Sequence, residues 1–235
     1  MTRLRCRLLA AALLAAATLA PAHAGPPLLC FPYQIGQARS LPWGHDAFEQ
    51  SKTYDSSHVV ADTIDILRTE RSVLVRMETL RRAAIYIGQN TGKATELLSY
   101  MTSLALTNDS IGKVSTLNLF DAGYFAATTR QNGVDLPWRP GADDGADGYL
   151  WIKRAVDLQR QDRHPDPAME FGAALVVFGH NDKAFRDHLR RAIAGAEPGS
   201  DLAASIESNY ACGRRPLQEL KKELGDARAD TTPGS

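Results

Sequence analysis

The sequence predicts an all-α fold: a compact αα-repeat stack of about eight helices, with an N-terminal strap clasped to the far end of the chain by a disulfide. Four observations predict it. From Ser56 onward apolar residues recur at spacings of three and four, and no stretch of useful length alternates with period two. Gly88, Gly133 and Gly179 each follow a helical stretch, at intervals of 45 and 46 residues. Alanine pairs sit inside the preceding stretches, at Ala83-Ala84, Ala126-Ala127 and Ala173-Ala174, and Ala203-Ala204 follows in a shorter last unit. Small residues let helices approach closely, so the pattern suggests stacked helix–turn–helix units of roughly 45 residues. Finally, Cys30 and Cys212 stand near the two ends of the chain.

Met1 to Ala24 reads as a secretory signal peptide. Arg3, Arg5 and Arg7 precede the apolar run Leu8 to Ala20, and Ala22-His23-Ala24 fits the small-x-small cleavage rule. Cleavage after Ala24 implies a periplasmic or secreted protein, and no later apolar run has membrane length. Residues 25–55 form the strap, centred on "CFPYQIGQARSLPWG". In an oxidising compartment an even cysteine pair favours a Cys30–Cys212 disulfide. Such a bond would bring the two Cα atoms within about 7 Å and would contribute about 5 kcal/mol by loop closure.

The helical-repeat domain is expected over residues 56–224. Val60, Ile64 and Leu67 form its first stripe, behind a Ser56/Ser57 cap. Leu74, Met77, Leu80, Ala84 and Ile87 form the second, and Ala94, Leu97, Met101 and Leu104 the third. Leu117, Phe120, Tyr124 and Ala127 form the fourth; Trp151, Ala155 and Leu158 the fifth. Next, Asp166 is placed to cap and Pro167 to occupy the first helical position. Phe171 to Phe178 is apolar nearly all round, which predicts the most buried helix. Phe185, Leu189 and Ile193 follow behind Asn181, then Leu202 and Ile206 behind Ser200. Residues 225–235 are polar and read as a disordered tail.

"SLPWG" in the strap and "VRMETLRRAAIY" after it resemble a group of exported bacterial proteins without an assigned activity. The general architecture is similar to the αα-repeats of tetratricopeptide and HEAT proteins, although the spacing is too long for the former and neither motif is present. That likeness implies protein or peptide partners on a concave face.

Motifs for chemistry are scarce. With 27 basic and 27 acidic residues, three of the former in the leader, no basic surplus points to nucleic acid. "IESNY" resembles the Glu-Ser motif of lytic transglycosylases, with Glu207 as general acid. Too little chain follows it for that catalytic domain, and a solvent-facing glutamate is the simpler reading. Asp143, Asp144 and Asp147 miss the register of a calcium loop. No pair of histidines has metal-ligand spacing, no nucleophile elbow or phosphate loop occurs, and no cofactor is implied. In "RMETLRR", Glu78 and Arg82 stand four apart in the favourable order for pairing. Arg76 and Arg81 read as members of a solvated face. The long connection "GVDLPWRPGADDGADG" carries Trp138, which is expected, like Trp43, to pack on the helices.

These observations lead to an expected exported module that binds a protein or peptide in the cell envelope. Its candidate contact residues are Arg81, Arg82, Tyr86, Tyr124 and Trp138. The competing expectations are an envelope hydrolase, recognisable by a close carboxylate or histidine pair in a polar pocket, and a purely structural envelope component.

Overall fold

A computed structural model describes residues 27–46, 48–110, 115–136, 147–163, 165–210 and 216–226. The chain is all-helical, and the described residues include no strand beyond one antiparallel bridge between Trp43 and Gln50. Among the described residues a 3₁₀ turn at Ser56–His58 leads into nine helices: α1 (Val59–Thr69), α2 (Val73–Ile87), α3 (Thr91–Ser110), α4 (Thr116–Gln131), α5 (Tyr149–Gln159), α6 (Pro167–Val177), α7 (Asp182–Gly195), α8 (Asp201–Tyr210) and α9 (Leu217–Asp226). None is long and apolar enough to cross a membrane. The leader, Asp143, Asp144, Trp138, His164, Cys212 and the tail from residue 227 lie outside the described residues.

Local chemistry sets most helix starts. Ser72, Ser115, Asp166, Asn181 and Ser200 each accept a hydrogen bond from a backbone N–H in the first turn that follows. One expected cap is replaced: Asp55, not Ser56 or Ser57, accepts from the Ser57 N–H and starts the 3₁₀ turn. Its carboxylate can reach past its own residue to that donor, forming an Asx-type turn.

The helices alternate between inside and outside. α2, α4 and α6 pack on one another, and α1, α3, α5 and α7 pack around them. Each of the three inner helices carries an alanine pair, and these six alanines are buried; the fourth pair, Ala203-Ala204, lies in α8, with Ala203 buried and Ala204 half-buried. The glycines that follow have left-handed φ values of 55°, 78° and 77°. Each inner helix touches both others, whereas an extended array would keep the first and third apart. Close approach depends on glycine. A Cβ on Gly172 of α6 would stand 2.5 Å from Phe120 of α4 and 3.3 Å from Met77 of α2. A Cβ on Gly123 of α4 would stand 2.5 Å from the carbonyl oxygen of Gly148, just before α5.

α2 departs from its expected stripe, since it is buried on nearly every side. The strap covers the face that reads as polar in the sequence. Leu28, Leu29, Tyr33 and Leu41 are buried in the core. The Leu28 N–H donates to Gln131 at the end of α4, and the Gln34 N–H donates to Ser205 of α8. The strap therefore reaches the last helices, as a clasp would. The expected disulfide is corrected: no disulfide is found among the described residues, and Cys30 is a free thiol. Burial and side-chain hydrogen bonding hold the strap instead. Burial also pushes the Cys30 thiol pKa up, partly offset by the Arg81 charge.

Candidate binding site

Four of the five expected contact residues are described, and all four bind the chain's own strap. Glu78 is at the centre, fully buried. Its Oε2 accepts from the Tyr33 N–H at 3.0 Å and from Arg81 Nε at 2.8 Å. Its Oε1 accepts from Arg81 Nη2 at 2.9 Å and Arg82 Nε at 2.7 Å. Arg81 also donates to the Leu29 carbonyl, Arg82 to the Leu41 carbonyl and the Tyr86 hydroxyl to the Pro42 carbonyl. Trp43 lies against Arg81 and Arg82, with both guanidiniums within 6 Å of its ring centre, and meets Tyr86 edge to face. The Tyr33 hydroxyl is 2.5 Å from that of Tyr124, and its ring meets Phe171 edge to face. Tyr33 thus plugs the junction of the three inner helices. Burial pushes both phenols up in pKa, so both stay protonated.

Arg81 and Tyr124 have no exposed surface. Arg81 belongs to a buried ion pair, which corrects the solvated face expected of it. The Glu78–Arg82 pair forms as its spacing predicts. Glu207 is also corrected: its Oε1 accepts from the Leu217 N–H at 2.6 Å and so caps α9 instead of facing solvent.

A second buried pair lies under a cavity of about 330 Å³ between α1, α2, α3 and α4. Arg76 makes a two-pronged bond to Asp121 and donates to the Leu67 and Glu70 carbonyls at the end of α1. It thereby satisfies helix-end carbonyls that would otherwise be orphaned in the interior. Burial raises the Asp121 pKa, and Arg76 counters part of that rise. Neither group was expected inside, because the partner lies 45 residues away and the local pattern is that of a charged helix face.

Above this floor the walls are apolar, formed by Ile64 and Leu67 of α1, Met101 and Leu104 of α3, and Leu117 of α4. Arg68 and Arg71 line the opening and are exposed. Neither guanidinium has an ion-pair partner among the described residues. Tyr100 and Asn118 add a hydroxyl and an amide to the lining. The lining thus carries three guanidiniums against one carboxylate, and can take an anionic group that has an apolar body.

A different arrangement joins α5, α6 and α7. The His188 Nδ1 lies 2.6 Å from Glu170 Oε2, and its Nε2 lies 2.9 Å from the Tyr149 hydroxyl. Arg160 donates to both Glu170 oxygens. Burial acts to raise the Glu170 pKa, but the hydrogen bonds from His188 and Arg160 outweigh it and hold the carboxyl below its usual range. An ionised Glu170 can only accept, so Nδ1 carries a proton, and in the neutral imidazole Nε2 accepts from Tyr149. All three groups are buried, at the edge of a shallow depression lined by Lys153, Lys183 and Arg191. Among the described residues no three His, Cys, Asp or Glu gather in a way that could hold a metal ion. Comparison with models of protein families, with curated proteins and with solved structures finds no match to this chain.

Proposed function

We propose that the protein is an exported binding module of the cell envelope, built from αα-repeat units, that recognises a protein or peptide partner at the cavity between α1, α3 and α4. One observation carries the reading: apolar walls and two arginines without ion-pair partners among the described residues converge on one opening, over a floor already neutralised by Arg76 and Asp121. A partner's carboxylate can gain charge-assisted bonds there while its apolar part leaves water. The residues first expected to touch the partner, Arg81, Arg82, Tyr86 and Tyr124, hold the strap and so shape the scaffold behind this opening. A photoreactive residue at Leu104, at the mouth and 36 % exposed, should crosslink an envelope protein. Adding Arg68→Ala and Arg71→Ala should abolish the adduct. An adduct unaffected by both changes would count against the site.

The hydrolase reading keeps one supporting observation, the Tyr149–His188–Glu170 relay beside a depression of mixed charge, lined by Lys153, Asp157, Lys183, Asp187 and Arg191. If it holds, purified protein should hydrolyse an anionic ester and His188→Gln should abolish that turnover. Turnover equal in wild type and H188Q would dismiss it.

A further inference from the structure

We infer that the cavity captures the C-terminal end of its partner chain, with the terminal carboxylate on Arg68 and Arg71 and the last aliphatic side chain against Leu67, Met101, Leu104 and Leu117. This rests on the binding reading above and specifies its ligand.

Three features select a chain end. The first is charge. Among the described residues the acids near the opening are engaged: Asp65 with Arg39, Asp121 with Arg76, and Glu70 Oε1 with the N–H groups of Arg71 and Ser72. Arg68 and Arg71 have no ion-pair partner among the described residues, and two guanidiniums match a carboxylate better than a neutral backbone. The second is size. A buried space of about 150 Å³ holds one benzene ring, so 330 Å³ holds one or two side chains, not a helix or an extended segment. The third is depth. Buried Arg76 and Asp121 close the floor, so a chain can enter but not pass through. The Asn118 amide and Tyr100 hydroxyl have no hydrogen-bond partner among the described residues, and a penultimate peptide group offers both a donor and an acceptor to them. An acidic side chain within a chain would bring the charge without the adjacent aliphatic end.

The test is fluorescence anisotropy with a labelled eight-residue peptide ending in Val-Leu, as the free acid and as the C-terminal amide. The free acid should bind, with the amide at least about tenfold weaker. Arg68→Ala with Arg71→Ala should weaken the free acid by a similar factor while leaving Tm unchanged, since both side chains are exposed. Equal binding of acid and amide, or binding unaffected by the double change, overturns the inference. Octanoate bound through both arginines while the free-acid peptide fails to bind also overturns it, and assigns the cavity to a free fatty acid. If the Leu104 adduct forms and needs both arginines while acid and amide peptides bind alike, this inference fails and the binding reading stands. If neither the adduct nor peptide binding is found, both fail.

Discussion

Glu78 illustrates how a single side chain can join distant parts of this chain. It accepts from two arginines on its own helix and from the Tyr33 N–H of the strap. A buried charge is tolerated only when its partners remain. Glu78→Gln keeps the shape but leaves two guanidiniums with a neutral amide, and should destabilise by about 3–5 kcal/mol in urea unfolding. A loss below about 1 kcal/mol would mean the network is much wetter than its geometry. The i,i+4 pairing with Arg82 was legible from spacing, but the bonds of Arg81 and Arg82 to Leu29 and Leu41 were not, because they cross 52 and 41 residues. Glu170 carries the pH dependence at this scale. His188 and Arg160 face it, and its pKa is depressed in the folded state. Its contribution is therefore present above the ordinary glutamate pKa, 4.5, and lost as pH falls through the lower folded value. In Glu170→Gln, Tm should fall less steeply between neutral and acid pH than in the wild type. Parallel Tm curves would show that Glu170 is not the titrating group.

Helix starts were readable where a short polar side chain precedes an apolar stripe, as at Asp166, Asn181 and Ser200. Which helices lie inside was partly readable. Continuous apolarity marks α6 as buried, whereas the alanine pairs and trailing glycines marked only a repeat of about 45 residues. α2 was misjudged as one-sided, because arginine and glutamate on a helix normally face water. Its outer face is covered by a segment that has no helical period of its own. The inner helices touch through glycine, which gives a direct test of their packing. At Gly172 the added methyl would meet the rigid Phe120 ring and Met77, so Gly172→Ala should cost about 1–3 kcal/mol despite alanine's better helix propensity. A Tm equal to or above the wild type would mean that α4 and α6 can separate freely.

Across the whole molecule, the strap belongs to the core and not to a fringe. Its N–H groups at Leu28, Tyr33 and Gln34 donate to side chains on α4, α2 and α8. Hydrogen exchange at Tyr33 and Gln34 should therefore be as slow as in α2, both opening only with global unfolding. Fast exchange at these two amides, with α2 protected, would show a strap that detaches by itself. The sequence by itself determined the helical class, the caps at Asp166, Asn181 and Ser200, and the burial of α6. These follow from interactions within a few residues, or from composition at fixed period. Only the tertiary structure decided how the strap is held, by Glu78 and buried leucines in place of a disulfide, and where the open arginines lie. Arg76 and Arg81 look alike in sequence to Arg68 and Arg71. What separates them is whether a carboxylate or carbonyl from a distant segment arrives to pair with them. No local periodicity records that, because a guanidinium's burial depends on the partners that folding brings to it.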